Sequence, residues 1–432
     1  MKMVCANKKG MLALSPVIVF LLLYLAASLL IGDFYKIPLS AAFLSASIWA
    51  ILITPGKIQD RIDVFSRGAG NSKTLLMVWI FILAGAFSKT ASTIGAVDVM
   101  VAGTLQIVPP QLLFFGLFLA ACLISLSIGT SVGTIVALMP LASGIASSTG
   151  TSQAYMAAII IGGAFFGDNL SFISDTTIAS TRAVGCLMSD KFRANIKIVL
   201  PAIVIVSAIY IFQGLSLSSF SAPEFSHFPK TIGYLLVIVL SFCKINVSVV
   251  LTLGIVVNVI LGLVYGNMSI TDSLASIGSG IDGMSDLIII TLLAGGMLEV
   301  VRHNGGVDYL TAILTRNIKG GRGAQFSIAA LVSLANLCTA NNTIAIITVG
   351  GIASDIAGRF SLDRKKVASI LDTFSCFVQG LIPYGAQILM ASSICGISPS
   401  SVVPYLYYPF LIGLSAAVFI VLPERHKKPE RQ

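Results

Sequence analysis

The chain has 432 residues, of which 56% are hydrophobic and only 10% charged, against about 25% charged in an ordinary soluble domain. Mean hydropathy is +0.95. A soluble enzyme of this size needs far more polar surface, and a disordered chain far fewer apolar residues, so both classes are excluded. Long unbroken apolar runs argue against a β-barrel, whose strands alternate. An all-α polytopic membrane protein remains.

From the N-terminus, Lys2, Lys8 and Lys9 precede an apolar stretch from Met11 to Ile31. It is too long for a signal core and no small-residue cleavage site follows, so 12–31 reads as a first transmembrane helix. Crossings follow at 38–55 and 74–93. No charged residue lies between Asp98 and Asp168, room for about three passes at ~20 residues each. That stretch holds an uncharged helix pair, 111–128 and 131–148, and runs into 153–181. A crossing at 196–215 follows. Further on, crossings lie at 229–243, 246–266 and 286–301. A second pair covers 325–338 and 341–357, followed by 366–395 and 402–422. The seven cysteines stand singly, with no metal-ligand spacing, and read as small core hydrophobes.

Two segments resemble each other at constant spacing. Leu83, Ala84, Gly85, Gly95, Val97 and Asp98 recur as Leu293, Ala294, Gly295, Gly305, Val307 and Asp308, all 210 apart. The chain therefore divides into 1–222 and 223–432. Each half carries scaffold helices (12–93; 229–301), a helical hairpin (111–148; 325–357) and a broken helix (153–181; 366–395). With re-entrant hairpins each half has five crossings; with spanning hairpins, seven. Both counts are odd, which predicts two inverted-topology repeats. With the N-terminus inside, all Lys and Arg except Lys36, Lys89 and Lys230 fall in cytoplasmic segments. That predicts a multi-pass inner-membrane protein with both termini cytoplasmic. It also accounts for the net charge of +9 without a nucleic-acid partner.

The stretch Gly162–Ser180, GGAFFGDNLSFISDTTIAS, sets two carboxylates, Asp168 and Asp175, among Asn169, Ser171, Ser174, Thr176 and Thr177 in an apolar region. A continuous helix would bury both acids at a cost of several kcal/mol. A broken helix fits better, aiming carbonyls and side-chain oxygens at a cation, since hard cations take oxygen ligands. A helix cap at the membrane surface is the competing reading. The matching region of the second half, from Asp372 to Ser392, breaks at Gly380–Pro383 and offers Asp372 and Gln387. Asp372 is alternatively a partner for the basic cluster Arg364–Lys366, and Gln387 an interhelical hydrogen bond. The hairpin tips, with Thr130, Ser131 and Thr134 and with Asn341, Asn342 and Thr343, offer hydroxyls and amides at helix N-termini. Plain turn chemistry is the competing reading there. Asp98 and Asp308 start short interfacial helices. Glu299 pairs with Arg302, and Lys89 is a candidate partner for a buried acid.

The run FGDNLSFISDTT resembles the Gly-Asp-x-x-Ser-Pro-x-Ser-Asp-Thr-Thr signature of the NhaC-type sodium/proton antiporter family, in the ion transporter superfamily. The tip Thr130–Thr134 is similar to theirs, as are Asp372-Thr373 and Ile382-Pro383. The chain departs at Phe172, often Pro there, at Tyr384, often Trp, and at the second tip, which lacks an acid. The resemblance implies Na+ and H+ as transported ions, no cofactor, and a homodimer, with the early crossings of each half as scaffold. In that reading Asp168 and Asp175 hold Na+ and H+ in turn, and Asn169, Ser174, Thr176, Asn341 and Asn342 supply neutral ligands. The alternative is sodium- or proton-coupled transport of an organic or amino acid, although no Arg lies deep in a span. A hydrolytic enzyme is disfavoured because His227, His303 and His426 lie in loops or the tail.

Overall fold

The computed structural model describes residues 10–20, 22–23, 38–172, 174–217, 228–243, 245–265, 268–315 and 318–422. The division at 222/223 and the basic residues Lys2, Lys8, Lys9, Lys36, Lys244, Arg316 and those beyond 422 lie outside these. The described residues form helices joined by turns and loops, with no strand among them. In chain order they form α1 (Gly10–Phe20), then α2 (Leu39–Ile53), α3 (Ile58–Ala69), α4 (Ser72–Thr93), α5 (Ala96–Ile107), α6 (Leu113–Ile128) and α7 (Ser131–Thr149). α8 (Gln153–Leu170), α9 (Asp175–Val184), α10 (Met188–Gly214), α11 (Ile232–Phe242), α12 (Val247–Val264), α13 (Ile270–Asp282) and α14 (Ser285–His303) follow. The chain ends with α15 (Gly306–Thr315), α16 (Gly320–Thr339), α17 (Asn342–Arg359), α18 (Arg364–Gln379), α19 (Ala386–Cys395), α20 (Pro399–Val402) and α21 (Tyr407–Val421).

The helix pairs 111–128/131–148 and 325–338/341–357 appear as α6–α7 and α16–α17. Both long segments expected to break do so: α8 gives way to α9 after Leu170, and α18 to α19 after Gln379. Among the described residues six helices are long and apolar enough to cross a membrane, or eight if two bent pairs count as single spans. α3 and α13 were not among the expected crossings. α3 carries Asp60, Arg61, Asp63 and Arg67 and buries only Val64 and Gly68; its charged face hid the helical period. α10 begins at Met188, eight residues before the expected crossing.

The two halves pack by exchange. α3 lies on α14, and α13 on α4. Both crossings are close because glycines meet there: a Cβ on Gly68 would lie 2.3 Å from the Gly295 carbonyl oxygen, and one on Gly85 2.2 Å from that of Gly280. Gly163 and Gly167 likewise seat α8 on α6, where Ser125 donates to the Ala164 carbonyl. Small residues four apart let helix backbones touch where lipid supplies no hydrophobic drive.

α7 contains Pro140, which interrupts the helical ladder. Tyr234 of α11 inserts its hydroxyl there, donating to the Ala137 carbonyl at 2.5 Å and accepting from the Leu141 N–H at 3.2 Å. Tyr234 is fully buried. We expect Tyr234→Phe to leave two buried backbone groups unpartnered and to lose about 1–3 kcal/mol, read as a lower melting temperature of the detergent-purified protein.

Candidate functional site

The break between α8 and α9 organises the site. The last carbonyls of α8 have no helical donors beyond Leu170, and side chains replace them. Ser174 and Thr176 each donate to the Asp168 carbonyl at 3.0 Å. Thr177 donates to the Ser171 carbonyl at 2.8 Å. Ser174 also caps α9, accepting from the Thr177 N–H. The Ser/Thr density of this stretch is thus the density of donors that an interrupted helix needs in a dry interior.

Around the break the structure builds two connected clusters. In the first, the buried Asp168 carboxylate meets both hairpin tips. Asn342 Nδ2 donates to its Oδ2 at 3.4 Å, and Ser131 lies against it from the other tip. Ser131 Oγ accepts from Gln387 Nε2 at 2.9 Å, Gln387 Oε1 accepts from Gln379 at 2.9 Å, and Gln379 donates to the Ala340 carbonyl at 2.9 Å. A hydrogen-bonded chain therefore runs from one tip through the second break to the other tip.

The tips share a backbone. Gly129 (φ 75°) and Ala340 (φ 46°) are left-handed, and each is followed by an extended N-cap, Thr130 or Asn341. Ala340 holds that conformation despite its Cβ penalty. The Asn341 side chain accepts from the Ile344 N–H, Thr134 Oγ1 donates to the Thr130 carbonyl, and the Thr343 N–H donates to Asn342. Thr130, Thr134, Asn341 and Thr343 thus serve the turns, whereas Ser131 and Asn342 reach the carboxylate.

In the second cluster Asp372 Oδ2 accepts from Lys191 Nζ at 2.9 Å, Asn195 Nδ2 at 2.7 Å and Asn169 Nδ2 at 3.3 Å. Lys191 also donates to the Asn169 carbonyl at 2.8 Å and to Thr177 Oγ1 at 2.6 Å. Asn195 shares that carbonyl at 2.7 Å, and Tyr408 donates to Asn169 Oδ1 at 2.9 Å. Asp372 is 0% and Lys191 1% exposed.

These contacts correct four expectations. Asp175 does not join Asp168 inside: it is exposed, as the first residue of α9, where an acid favours the positive end of the helix dipole. Asp372 pairs with Lys191, not with Arg364–Lys366. Lys191, counted among the cytoplasmic cations, is buried at the break. Lys89 is exposed, so it partners no buried acid, whereas Glu299 and Arg302 do pair, at 2.8 Å. Sequence reasoning missed Lys191, Asn195 and Tyr408 as residues of this cluster. A signal existed for two of them: Lys191, Asn195, Ile198, Ala202, Val206 and Tyr210 recur every three or four residues and form the buried stripe of α10.

A cavity of about 480 Å³ lies beside the second tip. Asn71, Thr74, Glu299, Arg302, Asn341 and Tyr384 line it. Among the described residues no cluster of three or more His, Cys, Asp or Glu has the make-up of a metal centre.

An all-helical fold with two broken helices, two hairpin tips and a buried carboxylate between them defines a secondary-transporter type of membrane protein. The sequence profile of the Na+/H+ antiporter family matches residues 5–215 and 224–423, and the chain belongs to that family. It is 23% identical to the malate-2H(+)/Na(+)-lactate antiporter of Bacillus subtilis, over 93% of each chain. It is 24% identical to the Na(+)/H(+) antiporter NhaC of the same organism, over 82% of this chain and 84% of that one. Among solved structures it is similar to the YdaH transporter of Alcanivorax borkumensis, with TM-score 0.45 and 13% identity over 94% of this chain and 97% of that one.

Gln387→Met removes the link between Ser131 and Gln379 at nearly constant volume. We expect about 1–3 kcal/mol lower stability, seen in thermal unfolding, with Gln387→Glu intermediate.

Proposed function

We propose that this chain exchanges Na+ for H+ across the inner membrane by alternating access, with Asp168 holding each ion in turn. The charge balance of the buried clusters carries the reading. Asp372 is matched by Lys191, while Asp168 has no ion-pair partner among the described residues. An uncompensated buried carboxylate costs several kcal/mol, and one proton or one monovalent cation removes that cost. The two ions therefore compete for the same oxygens.

Ser131 brings a hydroxyl and Asn342 an amide N–H to Asp168 from tips that belong to opposite halves, so a relative shift of the halves alters the site. Asn169, Ser174 and Thr176 order the break around it, and Gln387 ties it to the second half. The cavity beside Asn341 and Tyr384 is a water route from the side bearing Arg302, taken as cytoplasmic together with both termini. Family membership and the NhaC relative support Na+ and H+ as the ions. Assembly as a homodimer, with the early crossings of each half as scaffold, belongs to the same reading.

A second reading, coupled transport of a small organic acid, is favoured by the malate/lactate relative and by the volume of the cavity. Its weakness is charge: Arg302, the basic side chain lining that cavity, is already held by Glu299 at 3.0 and 2.8 Å.

The test is proteoliposome flux with an internal pH dye, adding Na+ and then malate or lactate. We expect Asp168→Asn to abolish Na+-driven proton movement. Asp175→Asn should retain it, with apparent Na+ affinity changed by less than about tenfold, or ~1.4 kcal/mol. Sodium flux that requires the organic acid would select the second reading, and normal exchange by Asp168→Asn would remove both Asp168 and the mechanism.

A further inference from the structure

The lysine at the break sits where a metal cation has every reason to sit. Its three N–H groups meet three oxygens: the Asn169 carbonyl at 2.8 Å, the Thr177 hydroxyl at 2.6 Å and Asp372 Oδ2 at 2.9 Å. A carbonyl, a hydroxyl and a carboxylate around one monovalent charge form the oxygen set that hard cations prefer. An ammonium has three donors and can serve three acceptors. The cluster holds more: Asp372 Oδ1 and Asn195 Oδ1 are buried oxygens without a hydrogen-bond donor. Asn195 Nδ2 and Asn169 Nδ2 approach Asp372 Oδ2 as well, so the carboxylate stands in a prebuilt polar shell rather than against a lone counter-ion.

We propose that Lys191 is a tethered cation that fills a second sodium-type site at Asp372, leaving Asp168 as the single position for an exchangeable ion. The proposal rests on the cation-exchange reading of Asp168. The ammonium cannot leave with the transported ion, because it is anchored four residues into α10 and fully enclosed. Lys191 thereby sets how many ions the site holds. It is a specificity-determining residue that acts by occupancy, not by touching the ion at Asp168.

The experiment is ²²Na+ binding to the purified full-length chain, paired with thermal unfolding in NaCl and in choline chloride at matched ionic strength. The wild type should bind one Na+ per chain. Lys191→Met uncovers Asp372 and should bind two, with a melting temperature that is low in choline and rises steeply with NaCl, because ligands of the native state stabilise it. Lys191→Met/Asp372→Asn removes both charges, should bind one Na+ again, and serves as the reference for a folded, uncharged cage. Lys191→Met that binds one ion overturns the proposal, as does Lys191→Met that stays below the double variant's melting temperature at saturating NaCl. Absence of Na+ binding by the wild type sinks the exchange reading instead, so the two failures are distinguishable.

Discussion

An interrupted helix in a dry interior must find donors for the carbonyls it frees, and much of this structure answers that requirement. The carbonyls of Asp168, Asn169 and Ser171 take hydrogen bonds from Ser174, Thr176, Lys191, Asn195 and Thr177. Those donors come from α9 and α10, so satisfying the break pins three helices together. It also turns the Asp168 side chain toward the hairpin tips. Each unsatisfied group would cost several kcal/mol where no water is present.

The two breaks resolve the same problem with different chemistry. The first collects charge: Asp168, Asp372 and Lys191 converge on it, although Asp372 is contributed by α18 of the other half. The second is neutral. Gln379 and Gln387 bridge it to both tips, and Tyr384 anchors its loop by donating to the Leu337 carbonyl at 2.7 Å. The buried charges thus gather at the first break, while neutral amides tie the second break to the tips.

Close glycine crossings let the frame form. Gly68 against Gly295 and Gly85 against Gly280 bring α3 and α4 of one half onto α14 and α13 of the other. Gly85 and Gly295 are themselves one of the recurring sequence pairs. The recurrence therefore has a packing meaning: each half keeps a backbone-to-backbone contact that a side chain would forbid.

Apolar run length and the absence of charge announced the apolar helices, six of them long enough to cross a membrane among the described residues, because a bilayer or a buried core demands uncharged helices. Gly-x-Val-Asp and the tip residues announced turns, because backbone caps need specific side chains close in sequence. Asp168, Asn169, Ser174, Thr176 and Asp372 were legible as the polar groups around the broken helices for the same local reason: polar groups inside an apolar segment stand out. Partnership was not legible. Whether Asp175 faces the interior or the outside depends on where the chain restarts its helix, a matter of one or two residues. Whether Lys191 is a surface charge or the counter-ion of Asp372 depends on two segments some 180 residues apart meeting in space. Long-range electrostatic pairing leaves no trace in local composition, so only the tertiary structure decided it.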